Sequence, residues 1–303
     1  MLKRLQIDDK YGRYGYFFIF PFFVAMLLFT AYPLVYSIYL SFTKWDGSTI
    51  APAFIGIDNF KHLVKDHFFW DSILNTFKIW LFAVTPQMIF AIILAVVLND
   101  KKLKGKGIFR AVYFFPALVT AVSIAGLFFQ LFAWQGGTVN NLLISLGIST
   151  TDSATNFFGS IFWTRFLCSF LLWWLWFGYS MIIFMAGIKA IPEELYEAGD
   201  VDGAGWWKKF RYITLPSLRP TILYNIVTSI IGGLAIFDVP YMLTSGTGAP
   251  DYSAQTISMY LYSQTFQANN YGYGASIGVG LCILTTIFVI IAFKFINRDV
   301  SID

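Results

Sequence analysis

Six runs of about 20 residues carry almost no charge, and that is the length an α-helix needs to cross a hydrocarbon core about 30 Å thick. They cover residues 16–40, 77–98, 108–132, 162–188, 221–243 and 277–295. Inside a bilayer every backbone N–H and C=O must find its partner within the protein, so such runs fold as helices. The chain therefore reads as an all-α polytopic membrane protein with six transmembrane helices in a single domain, 1–303. Composition agrees: 13% of the residues are charged, about half of the roughly 25% typical of soluble domains. Lys3, Arg4, Lys10 and Arg13 precede the first run, as they would in a secretory leader. The run is longer than a leader's apolar stretch and no A-x-A site follows, so it reads as a retained span. Pro21, Pro33, Pro86 and Pro116 fall inside predicted spans, where neighbouring helices can satisfy the carbonyls that proline frees.

Orientation follows from where Lys and Arg lie in the short loops. The N-terminal tail, the 99–110 and 189–220 connections and the C-terminus hold sixteen of the 21. Five remain for the opposite face: Lys44, Lys61 and Lys65, with Lys78 and Arg165 at span edges. Both termini are thus expected in the cytoplasm, as an even number of spans requires. The outer segments 41–76, 133–161 and 244–276 are rich in Gly, Asn, Thr and aromatics, which suits ordered caps.

Catalytic chemistry is missing from the pattern. His62 and His67 are five apart, a spacing that does not place two rings on one helical face as a metal pair needs, so they read as solvated loop residues. Cys168 and Cys282 both sit in apolar runs and form no disulfide framework. There is no H-E-x-x-H, no G-x-S-x-G and no phosphate-binding G-x-x-x-x-G-K-[ST]. No catalytic residue, metal ligand set or nucleic-acid partner is expected, and the net charge of +4 is concentrated beside the spans.

The 191–220 connection is the most informative stretch. Pro192 suits a first helical turn, and Glu193 and Glu194 complement the positive end of the helix dipole. A short amphipathic helix is predicted to about Val201, with Leu195, Ala198 and Gly199 at helical spacing and a turn at Gly203 and Gly205. Trp206, Trp207 and Phe210 follow among Lys208, Lys209 and Arg211, as in a helix lying at the lipid interface, and Pro216 is expected to break the chain. Lipid does not account for Glu193, Glu194, Glu197, Asp200 and Asp202 beside an anionic leaflet; acid there points to a protein partner.

Glu197-Ala198-Gly199, then Asp202-Gly203-Ala204, then Ile213-Thr214-Leu215-Pro216 resembles the EAA motif of binding-protein-dependent ABC importer permeases. Gly199 stands where the family has its second alanine. Tyr32-Pro33, Phe54-Ile55-Gly56, Asn59-Phe60, Asn75-Thr76 and Phe109-Arg110 resemble the carbohydrate branch, the sugar permeases of the maltose, glycerol-phosphate and multiple-sugar type. The resemblance covers about 12–298. It implies a plasma-membrane subunit of a bacterial or archaeal importer that passes a sugar or oligosaccharide by alternating access. Its partners would be a second, homologous permease, two cytoplasmic ATPases carrying ATP and Mg, and an external solute-binding protein. This chain would bind no cofactor of its own. Residues 193–205 would form the coupling helix, docked in a groove of an ATPase. There Glu197 pairs with basic residues, Ala198 and Gly199 allow close approach and Gly203 supplies the turn.

The resemblance also implies cavity walls in the fourth and fifth spans. Asn225, Ser229, Gly232, Gly233 and Ile236 recur at three and four and make one small, polar face. Tight helix packing in lipid would use the same residues. Trp173-Trp174-Leu175-Trp176-Phe177, followed by Gly178-Tyr179, suits sugar rings, lipid contact or packing alike. Asp238 is an intramembrane carboxylate, hence a candidate by default. It also lies near the outer end of its span, where water or backbone freed by Pro240 could hold it. Trp174, Phe177, Gly178, Tyr179, Asn225, Ser229, Gly233, Ile236 and Asp238 make up the candidate path. Two rivals stay open: an importer of the same class with a non-sugar cargo, and a stand-alone secondary carrier. The carrier would call for inverted repeats and coupling carboxylates, and no such repeat is visible.

Overall fold

The computed structural model describes residues 9–100 and 103–296. Lys3, Arg4, Lys101, Lys102 and Arg298, which enter the charge argument, lie outside them, and the side chains of Lys10 and Arg13 are likewise not described. In chain order the helices begin with α1 (Asp9–Met26), α2 (Tyr32–Ser41), α3 (Asp58–Lys65), α4 (His67–Asn99) and α5 (Lys106–Phe114). There follow α6 (Ala121–Leu131), α7 (Thr138–Ser145), α8 (Ile161–Lys189), α9 (Glu193–Val201) and α10 (Trp206–Lys209). The last are α11 (Leu215–Ser217), α12 (Arg219–Leu234), α13 (Asp238–Leu243), α14 (Ile257–Tyr262) and α15 (Tyr271–Ile296). A two-residue antiparallel pair, Thr43–Lys44 with Ala53–Phe54, is the only sheet among the described residues.

Among the described residues, five helical stretches are long and apolar enough to cross a membrane: Tyr14–Ser41, His67–Asn99, Ile161–Lys189, Arg219–Leu243 and Tyr271–Ile296. The predicted third span, 108–132, is not one straight helix. Lys106–Leu118 and Ala121–Leu131 meet at 88°, and together they supply a sixth crossing if the bent pair counts as one. The cause is local: Pro116 opens a 3-10 turn at Phe115–Leu118, and Thr120 then caps α6 by accepting from the Ser123 N–H. The fifth run is also interrupted, because the helix stops at Leu234 and restarts at Asp238. The second and sixth helices begin well before the apolar runs expected at 77 and 277, so Asn75 and Thr76 lie inside α4. Pro86, by contrast, sits within an unbroken α4.

The described residues form two compact units. Within them, one takes in 9–65 and Tyr262–Val279, the other 66–261 and 280–296. Within the first, Asn59 Nδ2 donates to the Ser41 and Thr43 carbonyls at 2.9 and 2.8 Å, and Phe60 meets Phe42 with ring centroids 5.3 Å apart. Those contacts give the Asn59-Phe60 pair a structural role, docking the first turn of α3 on the end of α2. Within the second, α4 and α8 pack along their length over a core of Ile79, Leu167, Leu171 and Leu175, joined further along by Met181 and Phe184. The segments expected on the outer face are ordered. Buried Asn140 ties 133–161 through Nδ2 to the Trp134 and Thr155 carbonyls and Oδ1 to the Thr155 N–H, while Asn75 reaches the Tyr252 carbonyl at 2.9 Å.

Candidate functional site

Three helices of the second unit, α4, α8 and α12, enclose a groove of about 140 Å³. From α12 it receives Asn225, Thr228, Ser229, Gly232 and Gly233, with Ile236 just beyond the helix end. α4 contributes Trp80, Ala83, Val84 and Gln87, and α8 contributes Leu172, Trp176, Tyr179 and Ser180. No charged side chain lines it. Its amides and serines already hold one another, an indole or backbone. Gln87 Nε2 donates to Ser180 Oγ at 2.9 Å, Trp80 Nε1 to Ser229 Oγ at 3.0 Å and Asn225 Nδ2 to the Thr221 carbonyl at 3.0 Å. Burial away from water makes an unpaired donor costly, which explains the pairing. Gly233 is glycine for a steric reason, since a Cβ there would occupy the same space as the Trp80 indole.

Of the residues expected on a path, Tyr179, Asn225, Ser229, Gly233 and Ile236 converge on this groove, and the others lie elsewhere. A helix turns by about 100° per residue, so the run 173–177 cannot face one way. Trp174 packs toward Phe128 at 6.2 Å, and Phe177 is buried against Tyr113 at 6.0 Å. Gly178 lies under the Tyr113 carbonyl, where a Cβ could not fit. Asp238 is exposed in the first turn of α13 and does not line the groove. Trp176, from the aromatic run but not on the candidate path, lines it as well, and Trp80, Gln87, Ser180 and Thr228 do so without having been singled out in the sequence. Gln87 carried a usable signal, being an amide in the middle of an apolar run.

The second candidate region is the segment around α9. The helix spans Glu193–Val201, as its sequence predicts. It ends in a Schellman arrangement: the Ala204 N–H reaches the Gly199 carbonyl at 2.8 Å and the Gly203 N–H reaches Asp200 at 3.0 Å. Gly203 holds φ +68°, in the left-handed region. Tyr196 and Thr214 join hydroxyls at 2.9 Å, and Lys209 pairs with Asp200. Glu193, Glu194, Glu197, Ala198, Asp202 and Gly203 are exposed, and Leu195, Ala198 and Val201 form an apolar rib between the acids. Gly199 does not share that outer face. It is buried, and a Cβ on it would stand 3.1 Å from Ile213 Cδ1, so its smallness serves the segment's own packing. Ala204 is partly buried beside it. Pro216 does not break the chain. It sits in the first turn of α11, after a π-helical turn at Phe210–Thr214 that carries helix into the next span. Trp206, Trp207 and Phe210 form the expected cluster, with Trp206 and Phe210 stacked at 5.7 Å.

The pattern of binding-protein-dependent transport system inner membrane components matches residues 14–302. The chain belongs to that family. The permease is 32% identical over 292 residues to the lactose transport system permease protein LacF of Rhizobium radiobacter, covering 96% of each chain. It is 34% identical to the arabinooligosaccharides transport system permease protein AraP of Bacillus subtilis, over 92% of this chain and 87% of that one. A bacterial alginate ABC transporter, solved with an alginate pentasaccharide-bound periplasmic protein, contains a chain of the same fold. It superposes with a TM-score of 0.81 at 25% identity over 99% of both chains. Membership makes the permease an inner-membrane component of a transport system that works with a binding protein, and it sets aside the stand-alone carrier.

Proposed function

We propose that the permease forms one half of the membrane pathway of an ATP-driven importer for a sugar or oligosaccharide, as a single transport domain over 1–303. The observation that carries the cargo class is the groove between α4, α8 and α12. Indole and phenol groups from Trp80, Trp176 and Tyr179 stand beside the neutral donors and acceptors of Gln87, Asn225 and Ser229, with no charge in the lining. Flat aromatic faces suit the C–H faces of sugar rings, and amides and hydroxyls suit their hydroxyls. An anionic cargo would call for Lys or Arg in that lining and a cationic one for carboxylates. The relatives named above for lactose and arabinooligosaccharides carry cargo of the same class.

The exposed face of α9 is the proposed coupling surface. Leu195, Ala198 and Val201 would enter an apolar groove on a cytoplasmic ATPase, and Glu193, Glu194, Glu197 and Asp202 would meet basic residues at its rim. Gly203 and Ala204 fix the turn that ends the helix. A second, homologous permease, two ATPase subunits that hold ATP and Mg, and an external solute-binding protein complete the assembly. Surrounding lipid covers the spans. The termini are cytoplasmic, on the side where sixteen of the 21 Lys and Arg residues lie.

Gentle detergent extraction of the tagged chain from its native membranes, followed by mass spectrometry, tests the assembly. Recovery of an ATPase and a second permease supports it, and a chain that purifies alone defeats it. Liposomes carrying the recovered assembly, its binding protein and internal ATP then test the cargo. Uptake of a neutral oligosaccharide but not of amino acids is the expected result.

A further inference from the structure

We propose that a second groove, on the other side of the α4–α8 pair, is a binding site for one anionic phospholipid. It holds about 700 Å³ and is lined along α4 by Lys78, Phe82 and Phe90 and along α8 by Arg165, Phe166 and Trp173, with no carboxylate in its wall. The two cations lie at one end. Lys78 is exposed and makes no ion pair among the described residues. Arg165 is fixed there rather than free to swing, because Nη2 donates to Asn75 Oδ1 at 2.7 Å and Nε to the Ser253 carbonyl at 2.9 Å. Its Nη1 has no protein partner among the described residues. A cation inside a span is expensive unless it faces a partner or the interface, and this pair has the interface and no protein counter-charge.

Depth and closure decide what fills the groove. Arg165 is one turn inside the end of α8 that lies away from α9, which is the level of a headgroup. From Lys78 to Phe90 the lining descends about 18 Å at 1.5 Å per residue. It ends where the Phe90 and Trp173 rings meet, their centroids 5.3 Å apart. Over that length the volume corresponds to a section of about 40 Å², half that of a helix about 10 Å across. A crossing helix of another subunit would need a channel open along the whole span. The acyl chains of one phospholipid, whose phosphodiester stays between Lys78 and Arg165, need only this depth. On the proposed orientation the lipid belongs to the external leaflet.

The test uses the chain purified in detergent with whatever subunits accompany it. Native mass spectrometry reads the lipid retained, and thermal melting reads stabilisation by added phosphatidylglycerol against phosphatidylcholine. The expected result is retention of, and stabilisation by, phosphatidylglycerol alone. Lys78→Ala should lower its apparent affinity about fivefold, the effect of one basic residue beside an anionic lipid, and Lys78→Glu should abolish it. Lys78 is exposed, so both variants should fold, and their unliganded melting temperature checks that. Three results overturn the proposal: equal retention of both lipids, displacement of phosphatidylglycerol by glycerol phosphate, or a Phe166→Cys cross-link to a helix of another chain. The first removes charge recognition, the second reduces the site to a free-anion site, and the third fills the groove with protein. None bears on the cargo or on the coupling role of α9.

Discussion

The proposed cargo groove and the segment around α9 are built on opposite terms. In the groove the amides and serines are paired within the protein, Gln87 with Ser180, Trp80 with Ser229 and Asn225 with the Thr221 carbonyl. Around α9 the carboxylates of Glu194, Glu197 and Asp202 stand in solvent, while Tyr196–Thr214 and Lys209–Asp200 tie the helix to the stretch of chain that returns to the membrane. The difference is one of solvent. Away from water an unpaired amide or hydroxyl costs several kcal/mol, so the groove must satisfy itself when empty and exchange those bonds for a cargo's. Beside water, charge can wait unpaired for a partner at little cost. One region recognises by exchange and the other by presentation.

Gly203→Asp should produce the largest effect. Nothing lies within 4 Å of where its Cβ would be, and Asp tolerates φ +68° at a cost of about 1 kcal/mol, so the chain should still fold and insert. What it would lose is the face presented to the ATPase, because a further carboxylate would stand at the tip of an acidic rim. ATP-driven uptake should vanish while the amount of chain in the membrane fraction holds. Undiminished uptake would break the comparison at its stronger end.

Gly233→Val comes next and acts inside the groove. Any Cβ at that position collides with the Trp80 indole, whose Nε1 holds Ser229. Displacing that ring should cost about 1–3 kcal/mol of stability, as overpacking does, and should lower uptake together with the melting temperature. A variant with full stability and full uptake would show that Trp80 and Gly233 are not packed as described.

How much of this was legible in the chain differs between the two regions for the same reason. The α9 segment is contiguous: its acids, its Gly203 turn and its return to the span lie within thirty residues, so helix bounds and candidate face could be read directly, Gly199 excepted. Gly199 went to the inner side because Ile213, fourteen residues on, folds back over it, and no local spacing announces that. The groove is assembled from three helices far apart in sequence. Small-residue periodicity found the α12 wall from Asn225 to Ile236. The α4 wall, with Trp80 and Gln87, depends on which faces of two apolar helices meet, and their hydropathy is nearly uniform around the axis. That uniformity also hid the scattering of Trp174 and Phe177 into packing. The 88° break in the third run was half visible: Pro116 marked a place where it could bend, while the capping Thr120 that commits it to bend gave no signal beside an apolar stretch.

A smaller effect sharpens the groove's boundary. Asn225→Ala with Ser229→Ala removes two groups that a cargo hydroxyl could engage, each worth about 1 kcal/mol, so the apparent KM should rise by roughly tenfold or more. Asp238→Ala alters an exposed residue outside the lining and should leave KM unchanged. A KM raised by Asp238→Ala and untouched by the double variant would move the path away from α12 toward α13.

The smallest effect is expected from Asp200→Asn, and its smallness is informative. Asp200 pairs with Lys209 across the turn at Gly203, yet its side chain is largely in solvent, and pairs of that kind contribute about 0–1 kcal/mol. The Schellman bonds from Gly203 and Ala204 and the Tyr196–Thr214 link should hold the segment without it. Melting temperature and uptake should therefore stay close to those of the parent chain, and salt should not widen the gap. If Asp200→Asn instead removed transport while the helix stayed folded, Asp200 would belong to the face presented to the ATPase rather than to the fold of the segment. The acid that pairs with Lys209 across the turn would then be spoken for by the partner, and Lys209 would be its resting counter-ion.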